Sequence, residues 1–406
     1  MKSFLSSPLS ILRRRPSESE GPVITSEIPA LTGLRGFAAV WVLLYHAWAF
    51  AGPKLMTFEQ FGIVFDFTPF FSTGWAGVQI FFVLSGFLLS LPFVRWQTGL
   101  RARPPIKIFL IRRIARVFPA YYLQLFLLLG MGWLAQRSLP INTGEIPQYL
   151  LMLFLPSPIG VGSAPLNGVW WTLPIELSFY FSLPILSIFL AWQRRWLLLG
   201  GALLVMIFWR WFVVDVLQVT LVTIWAYQLP GAIDSFALGM FGAMLHVKFY
   251  EQGSVDINKY KRALAWLLPI ALIVYALMFK WMHLDYLSYW KSSPLFYMWT
   301  PICSLSVFVV ILAGAARLAI IDVIFGNRAM QLIGVISYGI YLWHIPVLKW
   351  LLDESWIGAM EGYQFPWLFL ISAVLSFILA TLSWVLVEKK AIASCHSYFK
   401  NKQKSA

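Results

Sequence analysis

The sequence predicts an all-α polytopic membrane protein, a bundle of about ten transmembrane helices with both termini in the cytoplasm. Of its 406 residues, 60% are hydrophobic and only 12% are charged. Apolar segments recur along the chain, each long enough for the ~20 helical residues that cross a bilayer. Basic residues concentrate in alternate loops, as topology requires. This composition excludes an ordinary soluble domain.

Ten apolar segments are predicted to be spans. Two shorter stretches, 149–156 and 219–229, leave open a re-entrant piece or an additional span. An even number of crossings places both termini on one side of the membrane. The ten segments are roughly 31–52, 75–95, 108–134, 169–191, 196–214, 229–249, 262–281, 295–317, 333–351 and 366–388.

The charge distribution supports this count. With the N-terminus in the cytoplasm, the inner loops hold most of the lysines and arginines and the outer loops are rich in acids. The net charge of +14 therefore indicates topology, not nucleic-acid binding. We predict a flexible cytoplasmic arm over 1–30, a transmembrane domain over 31–390 and a cytoplasmic tail over 391–406. The two cysteines indicate neither a disulfide framework nor a metal site.

The first segment, "TGLRGFAAVWVLLYHAW" at 32–48, carries two ionisable residues, Arg35 and His46. Eleven helical residues return to within ~20° of the starting direction, so both side chains share one face. They lie ~16 Å apart along the axis. Ionisable groups inside a membrane usually face a cavity or a partner. The spacing predicts a cavity with Arg35 at its inner end and His46 in its outer half.

Two further ionisable residues fall in the outer half of the membrane. Glu176 follows the outer end of the fourth segment, and His344 lies in the ninth segment, "IGVISYGIYLWHIPVL". We therefore expect His46, Glu176 and His344 at one depth. A histidine beside a carboxylate is a general-base arrangement, because the carboxylate orients the ring. The alternative is that these groups only form hydrogen bonds between helices.

A basic cluster opens the third segment, "RRIARVFPAYY". Arg113 and Arg116 lie at i and i+3 and share a helical side. Guanidinium groups suit phosphates, so the cluster indicates a phosphorylated cytosolic ligand. The alternative is that these arginines only set topology. No phosphate-binding glycine loop and no zinc-ligand spacing is present, so we assign no metal site.

Five stretches, in this order, resemble the integral-membrane acyltransferase 3 family over about residues 31–390: "LRGFAAVWVLLYH", "FFVLSGFLLS", "RRIARVFPAYY", "WWTLPIELSFYF" and "ISYGIYLWHIPV". The family's Arg-x10-His motif falls on Arg35 and His46, which implies that His46 is catalytic. Its Arg-x-x-Arg motif, associated with the donor, falls on Arg113 and Arg116.

Two more family motifs end on the other candidate residues. The Trp-Ser-Leu-x-x-Glu pattern ends at Glu176, with Thr172 in place of the serine, and the Ser-Tyr-x-x-Tyr-Leu-x-His pattern ends at His344. One departure is the closing "VEKKA", where relatives often have Glu-Lys-Pro and Lys390 takes the proline position. That departure concerns only the end of the last helix.

The resemblance implies a bacterial plasma-membrane enzyme that transfers an acyl group, commonly acetyl, from cytosolic acyl-coenzyme A. The coenzyme is a donor substrate, not a resident cofactor. The acceptor is a hydroxyl of an extracytoplasmic glycan or another hydroxylated molecule, above all an envelope polysaccharide. Many relatives carry a fused extracytoplasmic esterase-like domain. None is expected here, which leaves open a separate extracytoplasmic partner that accepts the acyl group.

Arg35, Arg113 and Arg116 are then expected to hold the coenzyme's phosphates while the pantetheine arm carries the thioester to His46. His46 either takes the proton of the acceptor hydroxyl or forms an acyl-histidine intermediate. Glu176 or His344 would orient the ring. The rival interpretation is a secondary transporter or exporter in which the two histidines and Glu176 relay protons.

Overall fold

The computed structural model describes residues 28–136, 140–153, 166–218, 225–289, 293–353 and 364–404. Its elements are almost all helical. One antiparallel hairpin, β1 (Thr57–Gln60) and β2 (Ile63–Asp66), follows the first helix. The helices are α1 (Pro29–Phe50), α2 (Thr68–Ser72), α3 (Gly77–Gln97), α4 (Ile106–Gln136), α5 (Ile146–Leu151), α6 (Thr172–Leu186), α7 (Arg195–Trp211), α8 (Leu229–Leu245), α9 (Ile257–Leu284), α10 (Tyr286–Tyr289), α11 (Pro294–Ala315), α12 (Ala319–Phe325), α13 (Arg328–Val335), α14 (Ser337–Asp353), α15 (Gln364–Ser383) and α16 (Lys389–Lys404).

The described residues contain nine helical segments that are long and apolar enough to cross a membrane. Each corresponds to a segment predicted from hydropathy. The fold class, an all-α polytopic membrane protein, is therefore confirmed. These segments, with their flanking short turns, are Pro29–Phe50, Gly74–Gln97, Ile106–Ala135, Gly168–Leu190, Trp192–Val216, Leu229–Glu251, Ile257–Leu284, Pro294–Ala315 and Gln364–Phe399.

The segment predicted at 333–351 is not one helix. It is divided between α13 and α14, which are bent by 68°. Helix α13 ends at Val335, and the Ser337 hydroxyl donates a hydrogen bond of 2.8 Å to the carbonyl of Gly334. Gly334 packs so closely on α1 that a Cβ there would lie 1.9 Å from the carbonyl oxygen of Thr32. If α13 and α14 together count as one membrane crossing, the described residues provide up to ten crossings.

The remaining sequence expectations fall partly outside the described residues. For the stretch at 149–156, the structure shows α5 ending at Leu151, and 154–156 lie outside. For 219–229, residues 219–224 lie outside and Leu229 begins α8. Residues 1–27 of the predicted arm and the last two residues of the tail also lie outside. Most of the predicted tail belongs to helix α16.

Two glycines allow α3 and α8 to pack closely. A Cβ at Gly239 would lie 2.1 Å from the carbonyl oxygen of Val83, and one at Gly86 would lie 2.2 Å from that of Phe236. Small residues let helix backbones approach in a membrane, where packing replaces the hydrophobic effect as the force between helices. This contact fixes α3, whose opposite side lines the cavity described below.

We expect Gly239→Ala to destabilise the folded protein by about 1–3 kcal/mol, because the added methyl group overpacks the contact between α3 and α8. Thermal unfolding in detergent measures the effect. Gly201→Ala is the matched control, since a Cβ at Gly201 meets nothing within 4 Å. That control should unfold at or above the wild-type temperature, because alanine favours a helix over glycine. Equal stability of the two variants would contradict the assigned contact.

Candidate active site

A cavity with about 770 Å³ of empty volume lies between α1, α3, α4, α6 and α14. Four of the six residues predicted for the site line it: Arg35, Arg113, Arg116 and Glu176. The rest of its wall combines apolar side chains with hydroxyl groups. These other lining residues are Val78, Phe81, Phe82, Leu84, Ser85, Leu88, Leu89, Thr172, Leu173, Tyr180, Tyr338 and Tyr341.

The three arginines lie toward the N-terminal ends of their helices, which the charge distribution predicts to be at the cytoplasmic side. Arg35 lies in the second turn of α1, and Arg113 and Arg116 lie near the start of α4. Within the described part of the chain, none of them forms an ion pair within 4 Å of a carboxylate. The Nε of Arg113 is buried without a hydrogen-bond partner there. Guanidinium groups left with free donors beside a cavity form a binding site for an anion.

Glu176 does not lie where the sequence predicted it. Its carboxylate accepts hydrogen bonds from the hydroxyls of Ser85, at 3.1 Å, and Tyr180, at 2.5 Å. No hydrogen bond joins it to His46 or His344 within the described residues. The structure therefore joins Glu176 to α3 and to its own helix and not to His46, and its catalytic role stays a prediction.

Two members of this cluster were not recognised from the sequence. Tyr180 was not singled out, although it follows Glu176 by four residues and so shares its helical face. Ser85 was not singled out either. The spacing in "ELSFY" was the available signal for the tyrosine. For Ser85, only the packing of α3 against α6 reveals the contact.

The two predicted histidines meet each other. The Nε2 of His344 lies 3.2 Å from the Nδ1 of His46, and their ring centres are 5.0 Å apart. His344 is completely buried, whereas His46 is partly exposed. His46 is therefore the less buried member of the pair.

Backbone carbonyls determine which nitrogen of each ring carries hydrogen. The Nδ1 of His46 lies 2.9 Å from the carbonyl oxygen of Val42, and that of His344 lies 3.2 Å from the carbonyl oxygen of Ile340. A carbonyl only accepts, so we assign a hydrogen to each Nδ1. The Nδ1–H of His46 also points to the Nε2 of His344, which accepts. The Nε2 of His46 is left with a lone pair for incoming chemistry.

Tyr341 connects the cavity to the histidine pair. It lines the cavity, and its ring centre lies 5.8 Å from that of His344 and 6.0 Å from that of Phe81. Its hydroxyl donates to the carbonyl of Val169 at 3.0 Å and lies 3.0 Å from the hydroxyl of Thr172. Neither histidine lines the cavity itself. Tyr341 is therefore the lining residue whose ring lies beside the histidine pair.

A proline explains how α14 is held at this point. Pro346 has no N–H, so the carbonyl of Leu342, one turn earlier, lacks its helical donor. The buried side-chain amides of Gln124 and Asn167 each donate to that oxygen at 2.8 Å. The indole of Trp170 donates to Gln124 in turn, at 2.8 Å. This network fixes the helix segment that carries the site's second histidine. None of its polar members was predicted from the sequence.

Comparisons with known proteins identify the family of the chain. The family model described as "Acyltransferase domain", of the acyltransferase 3 type, matches residues 28–385. Among curated proteins, the chain is similar to Nodulation protein 10 of Rhizobium leguminosarum bv. viciae, at 25% identity over 88% of this chain and 92% of that protein.

The names of two further relatives state an enzymatic activity. Peptidoglycan O-acetyltransferase OatA of Listeria monocytogenes is 24% identical over 89% of this chain and 55% of its own length. Acyltransferase MdmB of Streptomyces mycarofaciens is 32% identical over 39% of this chain and 38% of its own length. No solved structure is significantly similar to this chain.

Proposed function

Because the chain belongs to the acyltransferase 3 family and is a membrane-bound O-acyltransferase, we propose that it moves an acetyl group from acetyl-coenzyme A to an envelope polysaccharide. The donor binds from the cytosol, and the acceptor hydroxyl arrives from the extracytoplasmic side of the bacterial plasma membrane. The observation that carries the proposal is a cavity lined by three arginines that form no ion pair among the described residues, with Tyr341 of the same cavity beside a pair of contacting histidines.

At the donor end, Arg35, Arg113 and Arg116 bind the phosphates of the coenzyme. Their planar groups present several donors to phosphate oxygens, and the carboxylates of the described chain leave them unpaired. The narrow pantetheine arm extends along the apolar wall of the cavity toward Tyr341. From Arg35 to His46 the axial distance along α1 is ~16 Å. Movement of Tyr341 and Phe81 admits the thioester to the histidine pair.

At the reacting end, His46 acts as a general base. Its Nε2 takes the proton of the acceptor hydroxyl while the hydroxyl oxygen attacks the thioester carbonyl carbon. The carbon–sulfur bond then breaks, and the sulfur leaves as a thiolate that takes the proton back from Nε2. The Nδ1–H of His46 donates throughout to Val42 and His344, which stabilises the positive ring. His344 thus serves as an orienting partner.

Glu176 remains in the proposed site, but on its donor side. Two hydroxyls, from Ser85 and Tyr180, hold the carboxylate at the cavity wall near Arg35. We assign it to the positioning of the donor rather than to the orientation of the His46 ring. This assignment differs from the triad-like grouping inferred from the sequence.

The nature of the acceptor rests on the relatives. One of them is named as a peptidoglycan O-acetyltransferase, which favours a hydroxyl of a cell-envelope polymer. The partly exposed His46 gives such an acceptor access from the side opposite the arginines. A separate extracytoplasmic protein that receives the acetyl group first would fit the same geometry.

Coenzyme-dependent label transfer tests the proposed function. Membranes that contain the protein receive acetyl-coenzyme A labelled in the acetyl group, and mass spectrometry then identifies acetylated envelope glycans. Membranes without the protein serve as the control. We expect label on an extracytoplasmic hydroxyl only when the protein and the coenzyme are both present. Solute accumulation without acetyl transfer would instead support the transporter interpretation.

A further inference from the structure

A second, smaller cavity has no role in the function proposed above. It has about 280 Å³ of empty volume, against about 770 Å³ for the cavity that the arginines line. The aromatic side chains of Trp75, Trp171 and Tyr227 line it, and the rings of the last two lie 5.7 Å apart. None of the described residues that line it is charged. The space is therefore small, aromatic and neutral.

Gln79 presents this second cavity with a hydrogen-bond donor and an acceptor that are both unused. The residue lines the cavity and is only 4% exposed. Neither the Nε2 nor the Oε1 of its amide has a hydrogen-bond partner among the described residues. Buried polar groups in proteins are normally paired, because an unpaired one loses its contact with water for nothing in return. The amide therefore indicates that a polar group binds in this cavity.

The position of the second cavity relates it to the proposed reaction. Phe82 lines both cavities, so the two share part of a wall. Trp75 follows Gly74 in the short turn before α3. A Cβ at Gly74 would lie 2.7 Å from the Cβ of Tyr45, the residue that precedes His46. The second cavity therefore lies next to the donor cavity and beside the turn of α1 that carries the proposed general base.

We propose that the second cavity is an acceptor subsite, in which the amide of Gln79 binds a neutral, hydroxyl-bearing group of the acceptor. This inference rests on the proposed function. A hydroxyl both donates and accepts, so it matches an amide that offers an N–H and a carbonyl oxygen. The aromatic wall packs on the C–H groups beside that hydroxyl, and the small volume admits one such group rather than a chain of sugars.

Gln79 is then a residue that determines acceptor specificity. A site that binds a substrate hydroxyl through a buried polar group rejects a substrate that lacks the hydroxyl, because the protein group is left unpaired. Water offers the same hydrogen bonds, and polar cavities in proteins often hold it. The two sources of the hydroxyl differ in one measurable respect: only an acceptor subsite makes the affinity for the acceptor depend on Gln79.

Replacement of Gln79 by leucine tests the subsite. Gln79→Leu keeps the approximate size of the side chain and removes both polar atoms of the amide. With soluble peptidoglycan fragments as the acceptor probe, the KM for the fragments should rise about 3- to 10-fold, the effect of losing one neutral hydrogen bond. The kcat at saturating acceptor and the affinity for coenzyme A should stay near wild type. Isothermal titration of the fragments without donor should show the same loss of affinity.

Gln97→Leu is the matched control. Gln97 ends the same helix, donates to the carbonyl of Ser187 and does not line the second cavity, so its replacement should leave the KM for the fragments unchanged. If Gln79→Leu does not fold, Thr300→Val removes a lining hydroxyl with little change of shape and should also raise that KM.

The outcomes separate the subsite from the proposed function. An unchanged KM and an unchanged fragment affinity in Gln79→Leu would overturn the subsite and leave the cavity to water. Absence of fragment binding by the wild type would overturn it as well. Fragments that the wild type binds in a manner that depends on Gln79, but does not acetylate, would overturn the proposed function and leave the subsite in place.

Discussion

His46→Gln is expected to lower acyl transfer by about 10²- to 10⁴-fold, the usual effect of removing a general base. The substitution keeps a side chain that can donate to the Val42 carbonyl and to His344, so the packing of α1 against α14 is retained. It cannot accept the proton of the acceptor hydroxyl. Coenzyme A binding should remain near wild type, since His46 lies ~16 Å along α1 from Arg35. Steady-state transfer and coenzyme titration measure the two effects separately.

His283→Gln is the matched control. His283 is another histidine near a helix end, and its Nδ1 lies 3.1 Å from the hydroxyl of Ser72, outside the proposed site. Its replacement should leave transfer almost unchanged. If His46→Gln retained near-normal transfer, this result would exclude both His46 as the general base and an acyl-histidine intermediate at His46. His344 would then be the next residue to examine.

Arg113→Ala and Arg116→Ala are each expected to weaken coenzyme A binding by about 1.5–3 kcal/mol, the range for hydrogen bonds to charged groups. This corresponds to roughly 10- to 150-fold in Kd. Both side chains line the cavity, and the unpaired Nε of Arg113 is already buried there. Thermal stability should change much less than affinity, because neither arginine forms an ion pair with a described carboxylate.

The same helix supplies the control for this pair. Arg112 precedes Arg113 but is exposed and does not line the cavity. Arg112→Ala also removes one positive charge, but from outside the cavity. It should therefore weaken coenzyme A binding only slightly, through the loss of a screened long-range attraction. If all three variants weakened coenzyme A binding to the same small extent, the arginine cluster would set only the membrane topology and would not bind the coenzyme.

Hydropathy and charge predicted the architecture well because the bilayer imposes a length and an orientation on every span. They did not predict the break between α13 and α14. That break depends on Gly334 meeting the backbone of Thr32, a contact between segments some three hundred residues apart in the chain. Tertiary contacts of this kind leave little trace in local hydropathy.

The donor side of the site was easier to predict than its reacting side. Arg35, Arg113 and Arg116 lie within the first eleven residues of α1 and α4, and the charge distribution predicts that both helices start at the inner surface. Depth along the membrane normal can be estimated from residue counts at ~1.5 Å per residue. The rotation of each helix about its axis cannot, because it follows from packing. For that reason the sequence left Glu176 and His344 as alternative partners of His46, whereas in the structure the carboxylate of Glu176 accepts hydrogen bonds from Ser85 and Tyr180.

The tautomer of the histidine pair has a thermodynamic consequence for the membrane. In the proposed mechanism, the Nε2 of His46 both takes hydrogen from the acceptor and returns it to the departing sulfur. In each such cycle an acetyl group would move outward and a hydrogen atom would move inward with the neutral thiol. The exchange is electroneutral and releases no free ion on either side. Energised vesicles treated with a protonophore are therefore expected to acetylate at an undiminished rate, whereas a rate that followed the collapse of the gradient would exclude this stoichiometry.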